Sequence, residues 1–417
     1  MPFHYINDRL HCDSVDLETV AKAHDTPSYV YSEAILHRNA SVLKSCFIDR
    51  GFKVSYAMKA NSNPVIMQLF KSYGIGVDIV SGGELQMARY VGFHGSEINY
   101  AGVGKTTSEI VLALEADIAH FNVESEFELE LLNAKAAESA QTASVLLRLN
   151  PDIDPQTHPH ISTGLKNNKF GMGPELIATI LAHPQKYPNV DFAGLHCHIG
   201  SQILKPQPFD DLIDYLALYS KELKNSGITI RHIDFGGGFG VNYSEPFEDI
   251  LTTTPYLESF ADKAMAKLGQ YQLHIQPGRV LVANSAVLLA QVLGCKENGE
   301  HQFMVIDGAT TDLIRPALYN AYHGFYPHQF RANSKVGDVV GPVCESSDAL
   351  VKDRALPDLA SGELVAIASA GAYASSMGST YNLRPLSPEI LVNDRGELRL
   401  IRRRQTFEEM IALYRED

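Results

Sequence analysis

The chain has 417 residues, 45% of them hydrophobic, with 49 acidic against 35 basic side chains and a formal net charge of −14. That length supports more than one domain core, and the acidic balance excludes a nucleic-acid surface as the main partner. Five cysteines without a CxxC pair, a polar N-terminal stretch and no apolar run near the roughly 20 residues that span a bilayer point to a cytoplasmic protein with no membrane partner.

Taken in chain order, the N-terminal segment 1–30 contains FHYINDRLHC, which reads as a strand contributed to a β-rich domain. Short β-branched runs then alternate with amphipathic stretches: FKVSYAM, IGVDIV, EINYA, DIAHFNV, SVLLRLN, DFAGLHCHIG, IRHIDFGGG and QLHIQPG, separated by helical patterns such as NPVIMQLFKSYG. About eight strand-helix units over residues 31–280 fit an α/β chain folded as a (β/α)8 TIM-type barrel better than an open doubly wound sheet. Chemistry in such a barrel belongs at the C-terminal strand ends. Over 281–417 the texture changes to strand-like runs, among them VANSAVLLAQVL, HQFMVIDG and ELVAIASAG, which predict a C-terminal β-rich domain. The basic RLIRRR near the end reads as a solvated strand.

Four motifs sit at the predicted strand ends. VSYAMKANSNP puts Lys59 between an apolar run and turn-forming residues. Lysines often flank strands simply as solvated residues, but a lysine held at a barrel strand end is also placed to act as a nucleophilic amine that forms a Schiff base. GLHCHIGSQ carries His196 and His198, of which one is expected to face the working end, and no metal site is expected. IDFGGGFG ends a strand with bare backbone N–H groups suited to a phosphate, and IQPGR adds further donors with Arg279. AGVGKTTSE is not a nucleotide loop, because the first glycine of GxxxxGKS/T falls on Asn99. An amine, an imidazole and a phosphate cradle on one barrel are what pyridoxal 5'-phosphate requires.

The motifs YAMKAN, HCHIGSQ, GGGFG, QPGR, GPVCESSD and GAYASSM occur in an order that resembles the fold-type III pyridoxal 5'-phosphate-dependent decarboxylases, from TPSYVYSEAIL to RRRQTFEEM. The resemblance implies that Lys59 carries the cofactor and His198 stacks on its ring. It implies that Ser201, Gly237, Gly238, Gly278, Arg279 and Tyr373 hold its phosphate region. It also implies a homodimer with shared sites, in which Cys344 and Glu345 come from the partner subunit. Cys344 is typed to donate the proton that replaces CO2. Arg279 and Arg315, with Tyr319 and Tyr373, suit a distal carboxylate, and Glu345 a second ammonium. The implied reaction is decarboxylation of meso-2,6-diaminopimelate to L-lysine and CO2, the last step of lysine biosynthesis. One residue breaks the pattern: Gln276 stands where the family's EPGR motif has a glutamate bonded to the protonated pyridine nitrogen. A decarboxylase for another amino acid with a distal carboxylate, and a weakly active cofactor-binding regulatory paralogue, are the alternatives at this point.

Overall fold

The computed structural model describes residues 3–154, 169–247, 256–299 and 301–415. Strands β1 (Phe3–Ile6) and β2 (Arg9–Cys12) pair antiparallel across Asn7 and Asp8, whose φ angles of 49° and 62° fit the two-residue hairpin turn that Asn and Asp tolerate. With β3 (Val15–Asp16) they form a three-stranded sheet of their own. The segment therefore differs from the expected single added strand: the one that joins the larger sheet is β4 (Ser28–Ser32), buried along its whole length.

Eight parallel strands follow and close into a barrel: β5 (Lys53–Ala57), β6 (Gly76–Ile79), β7 (Ile98–Tyr100), β8 (His120–Val123), β9 (Ala143–Arg148), β10 (Val190–His196), β11 (His232–Asp234) and β12 (Gln272–Ile275). Each falls on one of the eight runs expected from sequence, β9 and β10 starting one residue earlier, and β12 pairs β5 to complete the ring. Local chemistry sets the turns between strands and helices. Asn63 accepts from the backbone N–H of Val65 and Pro64 occupies the first turn, so the helix Pro64–Ser72 starts just after Lys59. Thr106 and Glu109 form a capping box on the helix Thr107–Glu115, which accounts for the TTSE of the rejected nucleotide loop.

The remaining strands are β13 (Ala286–Asn298), β14 (His301–Ile306), β15 (Phe325–Pro327), β16 (Asn333–Val340), β17 (Ala349–Pro357), β18 (Leu364–Ile367), β19 (Glu389–Val392) and β20 (Leu398–Arg402). They build a nine-stranded sheet around β4, which pairs antiparallel with β13 and parallel with β19. Its core joins Val30, Val287, Leu289, Ala366 and Ile390 to Phe3, Leu10 and Leu17 from the N-terminal segment. Burial of this kind is worth roughly 1.5–3 kcal/mol for each fully buried large apolar side chain. The first four residues of RLIRRR lie in the edge strand β20, where Arg402 pairs with the buried Glu389 at 2.8 Å. By density of contacts the chain divides into one unit of Met1–Asn39, Val241–Asp249 and Val280–Asp417 and a barrel unit of Ala40–Gly240 and Ile250–Arg279.

Candidate active site

The C-terminal rim of the barrel carries Lys59, His198, Ser201, Gly237, Gly238, Gln276, Gly278 and Arg279. Lys59 lies in a 3-10 turn (Met58–Ala60) directly after β5. The backbone N–H of Ala57 donates to Pro277 O at 3.0 Å, fastening the strand end to the QPG loop. The side chain is 44% exposed, and its Nζ lies 3.7 Å from Oδ2 of buried Asp78. Burial pushes Asp78 up to about 6 against the opposing pull of Lys59 and Arg148.

His196 is the last residue of β10 and His198 stands two further on. Both meet rim residues, His196 meeting Gln276 and His198 meeting Gly237, which corrects the expectation that only one histidine would serve this end. The His196 Nε2 and Gln276 Oε1 atoms are 3.0 Å apart. His198 Nδ1 accepts from the backbone N–H of Gly237 at 3.2 Å, which leaves Nε2 to carry the ring proton when the imidazole is neutral. Burial, then the nearby charge of Arg148, holds both imidazoles well below the usual histidine range.

The glycines are required by close approach. Gly236 and Gly238 have φ of +66° and +110°, and a Cβ would come within 2.7 Å of His198 Cβ at the first and 2.5 Å of Gly200 O at the second. A Cβ on Gly237 would lie 2.2 Å from Gln276 O. An Nη2 of buried Arg279 donates to Ser201 Oγ at 3.1 Å, so these two predicted residues meet.

Sequence reasoning missed several polar residues of this rim. Arg148 ends β9 and donates to Glu124 Oε1 at 2.7 Å, both being buried. Asp234 ends β11, accepts from the backbone N–H of Gly236 at 2.8 Å and is pushed by burial up to about 8. The signal that singles out Lys59, a charge interrupting an apolar strand run, also marks Asp78, Arg148 and Asp234. Lys105 is structural: it is buried and donates to Glu128 Oε1 at 2.6 Å.

The other unit carries Cys344, Glu345, Arg315, Tyr319 and Tyr373. Cys344 and Glu345 are exposed on the loop between β16 and β17. Buried Asp348 holds that loop, accepting from the N–H groups of Val343 and Thr310, each at 2.7 Å. The Cys344 N–H donates to Asn382 Oδ1 at 3.2 Å, and the Tyr381 hydroxyl to Glu345 Oε1 at 2.7 Å. Arg315, buried, opens the helix Arg315–Tyr319 with its Nη1 2.7 Å from His323 Nε2 and its guanidinium carbon 4.5 Å from the centre of the Tyr243 ring. Tyr319 closes that helix half-buried, and Tyr373 is half-buried with φ +55°.

The residues of the barrel rim define an enzyme suited to a phosphorylated aldehyde cofactor. The fit rests on the narrow glycine backbone of 236–238 and on the buried Gln276 Nε2, a donor with no hydrogen-bond partner among the described residues. Residues 33–283 match the family described as pyridoxal-dependent decarboxylase, pyridoxal binding domain, and the chain belongs to that family. It is 40% identical over 416 residues to a diaminopimelate decarboxylase of Haemophilus influenzae, covering 99% of this chain and 98% of the relative. A diaminopimelate decarboxylase of Vibrio cholerae is 41% identical, with 99% of this chain and 98% of the relative covered. The crystal structure of diaminopimelate decarboxylase from Helicobacter pylori complexed with L-lysine superposes with a TM-score of 0.89 at 38% identity, covering 96% of this chain and 99% of that one.

Proposed function

We propose that this chain decarboxylates meso-2,6-diaminopimelate to L-lysine and CO2. The observation that carries the proposal is the near full-length likeness, at 40% identity, to enzymes of that name. When bound, pyridoxal 5'-phosphate supplies the electron sink that accepts the pair released with CO2. Lys59 holds the cofactor through its amine, and His198 packs against the ring with a neutral imidazole. Ser201, Gly237, Gly238, Gly278, Arg279 and Tyr373 bind its phosphate region, while Gln276 addresses the ring nitrogen.

Arg279, Arg315, Tyr319, Tyr373 and Glu345 bind and orient the substrate, the guanidiniums taking the distal carboxylate and Glu345 the distal ammonium. Cys344 delivers a proton from Sγ to the carbon that loses CO2. Two chains pair, and Cys344 and Glu345 serve the barrel of the other copy; their exposure supports this reading. The functional division is a cofactor-binding barrel over 31–280 and a β-domain over 281–417 that takes up residues 1–30. A cytoplasmic location is supported by five free cysteines; among the described residues no helix is long and apolar enough to cross a membrane.

The test is to incubate the protein, loaded with pyridoxal 5'-phosphate, with meso-diaminopimelate and to measure CO2 and lysine. Release of both in equal amounts is expected. CO2 from a different amino acid alone would overturn the substrate, and none from any amino acid would overturn the activity.

A further inference from the structure

The N-terminal mouth of the barrel, at the opposite strand ends from Lys59, contains three histidines. His120 opens β8, His232 opens β11, and His274 is the third residue of β12. They line a cavity of about 560 Å3 together with Ser55, Glu97 and Asn99. His232 Nδ1 and His274 Nε2 are 2.9 Å apart, and the ring centroids of the three pairs are separated by 4.7, 5.1 and 5.6 Å. One ring nitrogen from each residue can be chosen so that all three lie within 4.8 Å of one another.

We propose that His120, His232 and His274 bind one divalent transition-metal ion of the zinc class, with a further coordination position open to the cavity. Three nitrogens at the roughly 2.0–2.1 Å Zn–N distance of a tetrahedral ion stand about 3.4 Å apart, a spacing that the observed separations bracket, so small ring rotations suffice. The His120 Nδ1 atom is 2.9 Å from Ser144 Oγ, a hydrogen bond that fixes the ring and leaves Nε2 as the ligand atom. A purely packed cluster explains the contact between His232 and His274. It leaves His274 Nδ1 buried without a hydrogen-bond partner among the described residues. Imidazole ligands favour Zn2+, Co2+, Ni2+ and Cu2+ over Mg2+ and Ca2+. An ion here would tie β8 to β11 and β12 across the barrel floor.

The test uses tag-free holoenzyme, treated with a chelator and dialysed. Addition of Co2+ should give the intense visible bands of a four-coordinate site at one ion per chain, and Zn2+ should displace them. Zn2+ at a hundredfold excess over its Kd should raise Tm by about 3 °C, whereas Mg2+ should not. His232→Gln and His120→Asn, each at the first residue of a strand, should weaken Co2+ binding by at least the roughly 10–100-fold that losing even an outer-shell partner of a ligand costs. Exposed His183→Gln serves as a control and should leave binding unchanged. Absence of Co2+ binding to the native protein, or equal affinity in the native protein and in folded His120→Asn and His232→Gln variants, would overturn the proposal.

Discussion

Gln276→Glu separates two ways of holding the cofactor ring. The Gln276 side chain is buried at the end of β12, with Oε1 against His196 Nε2 and Nε2 turned to no protein acceptor among the described residues. A ligand nitrogen meeting that amide meets an N–H donor, which matches a bare pyridine lone pair and opposes a pyridinium N–H. A hydrogen bond to a charged group is worth roughly 1.5–3 kcal/mol, so exchanging it for a donor-donor contact disfavours the pyridinium by about 1 to 2 pKa units. The native protein should therefore hold the ring nitrogen unprotonated near pH 7.5. The Glu variant, which keeps an oxygen for His196 and adds a charge for the ring, should hold it protonated. Nitrogen-15 NMR of labelled cofactor in each protein reads this directly, without turnover. In kinetics the carboxylate strengthens the ring as an electron sink only as charge develops with loss of CO2, so kcat should rise several-fold and KM stay nearly constant, since partial transmission of about 1.4 kcal/mol gives that gain. A protonated ring nitrogen in the native protein would mean that the amide presents its oxygen, and would refute the argument. So would a Glu variant that is slower although its ring is protonated.

Lys59→Ala should abolish the cofactor absorbance band that borohydride removes, and a labelled peptide centred on another lysine would sink the assignment. Asp78 carries a proton in the folded state between pH 3.8 and about 6 that the unfolded state has released, so its contribution to stability falls as pH rises through that window, by at most about 3 kcal/mol. Urea unfolding of Asp78→Asn against the native protein at pH 4 and pH 7 should show the variant relatively more stable at pH 7; a constant difference refutes the shift. Arg315→Ala should raise the KM for diaminopimelate by about tenfold to a hundredfold while cofactor affinity holds, because a charge-assisted bond to a carboxylate is worth roughly 1.5–3 kcal/mol. Unchanged KM would move the distal-carboxylate site elsewhere. Mixed Lys59→Ala and Cys344→Ala chains should recover part of the native activity through hybrid dimers, and none after verified exchange would count against shared sites.

The barrel was legible because each of its strands is a short β-branched run bounded by turn residues, and several end in a charge or a glycine cluster that marks the working rim. Strand β4 was not, because SYVYS is buried on both faces and loses the alternation that exposes a strand in sequence. The N-terminal segment was misjudged for a different reason: Asn7 and Asp8 make a hairpin of it, so its strands pair with each other first. Interleaving of the units was hidden too, since residues 241–247 leave the barrel unit between two barrel strands without any change in composition.

The polar residues of the barrel axis divide in the same way. Lys59 and Gln276 announce themselves, the first by interrupting an apolar run and the second by departing from a motif. His120, His232 and His274 each stand alone in a separate strand run, because what joins them is the register of β8, β11 and β12 around a closed ring. His274 and Gln276 lie two residues apart at the end of β12, so one face of one strand, continued past its end, carries both the floor histidine and the amide proposed to face the cofactor ring. A ring rotation that brings His274 onto an ion need not move Gln276, since the backbone between them is fixed by the pairing of Ile275 with Val54 on β5. Metal at the floor should therefore change Tm while leaving the nitrogen-15 signal of the cofactor in place, and a shift of that signal on adding Zn2+ would show that the strand transmits what this argument says it isolates.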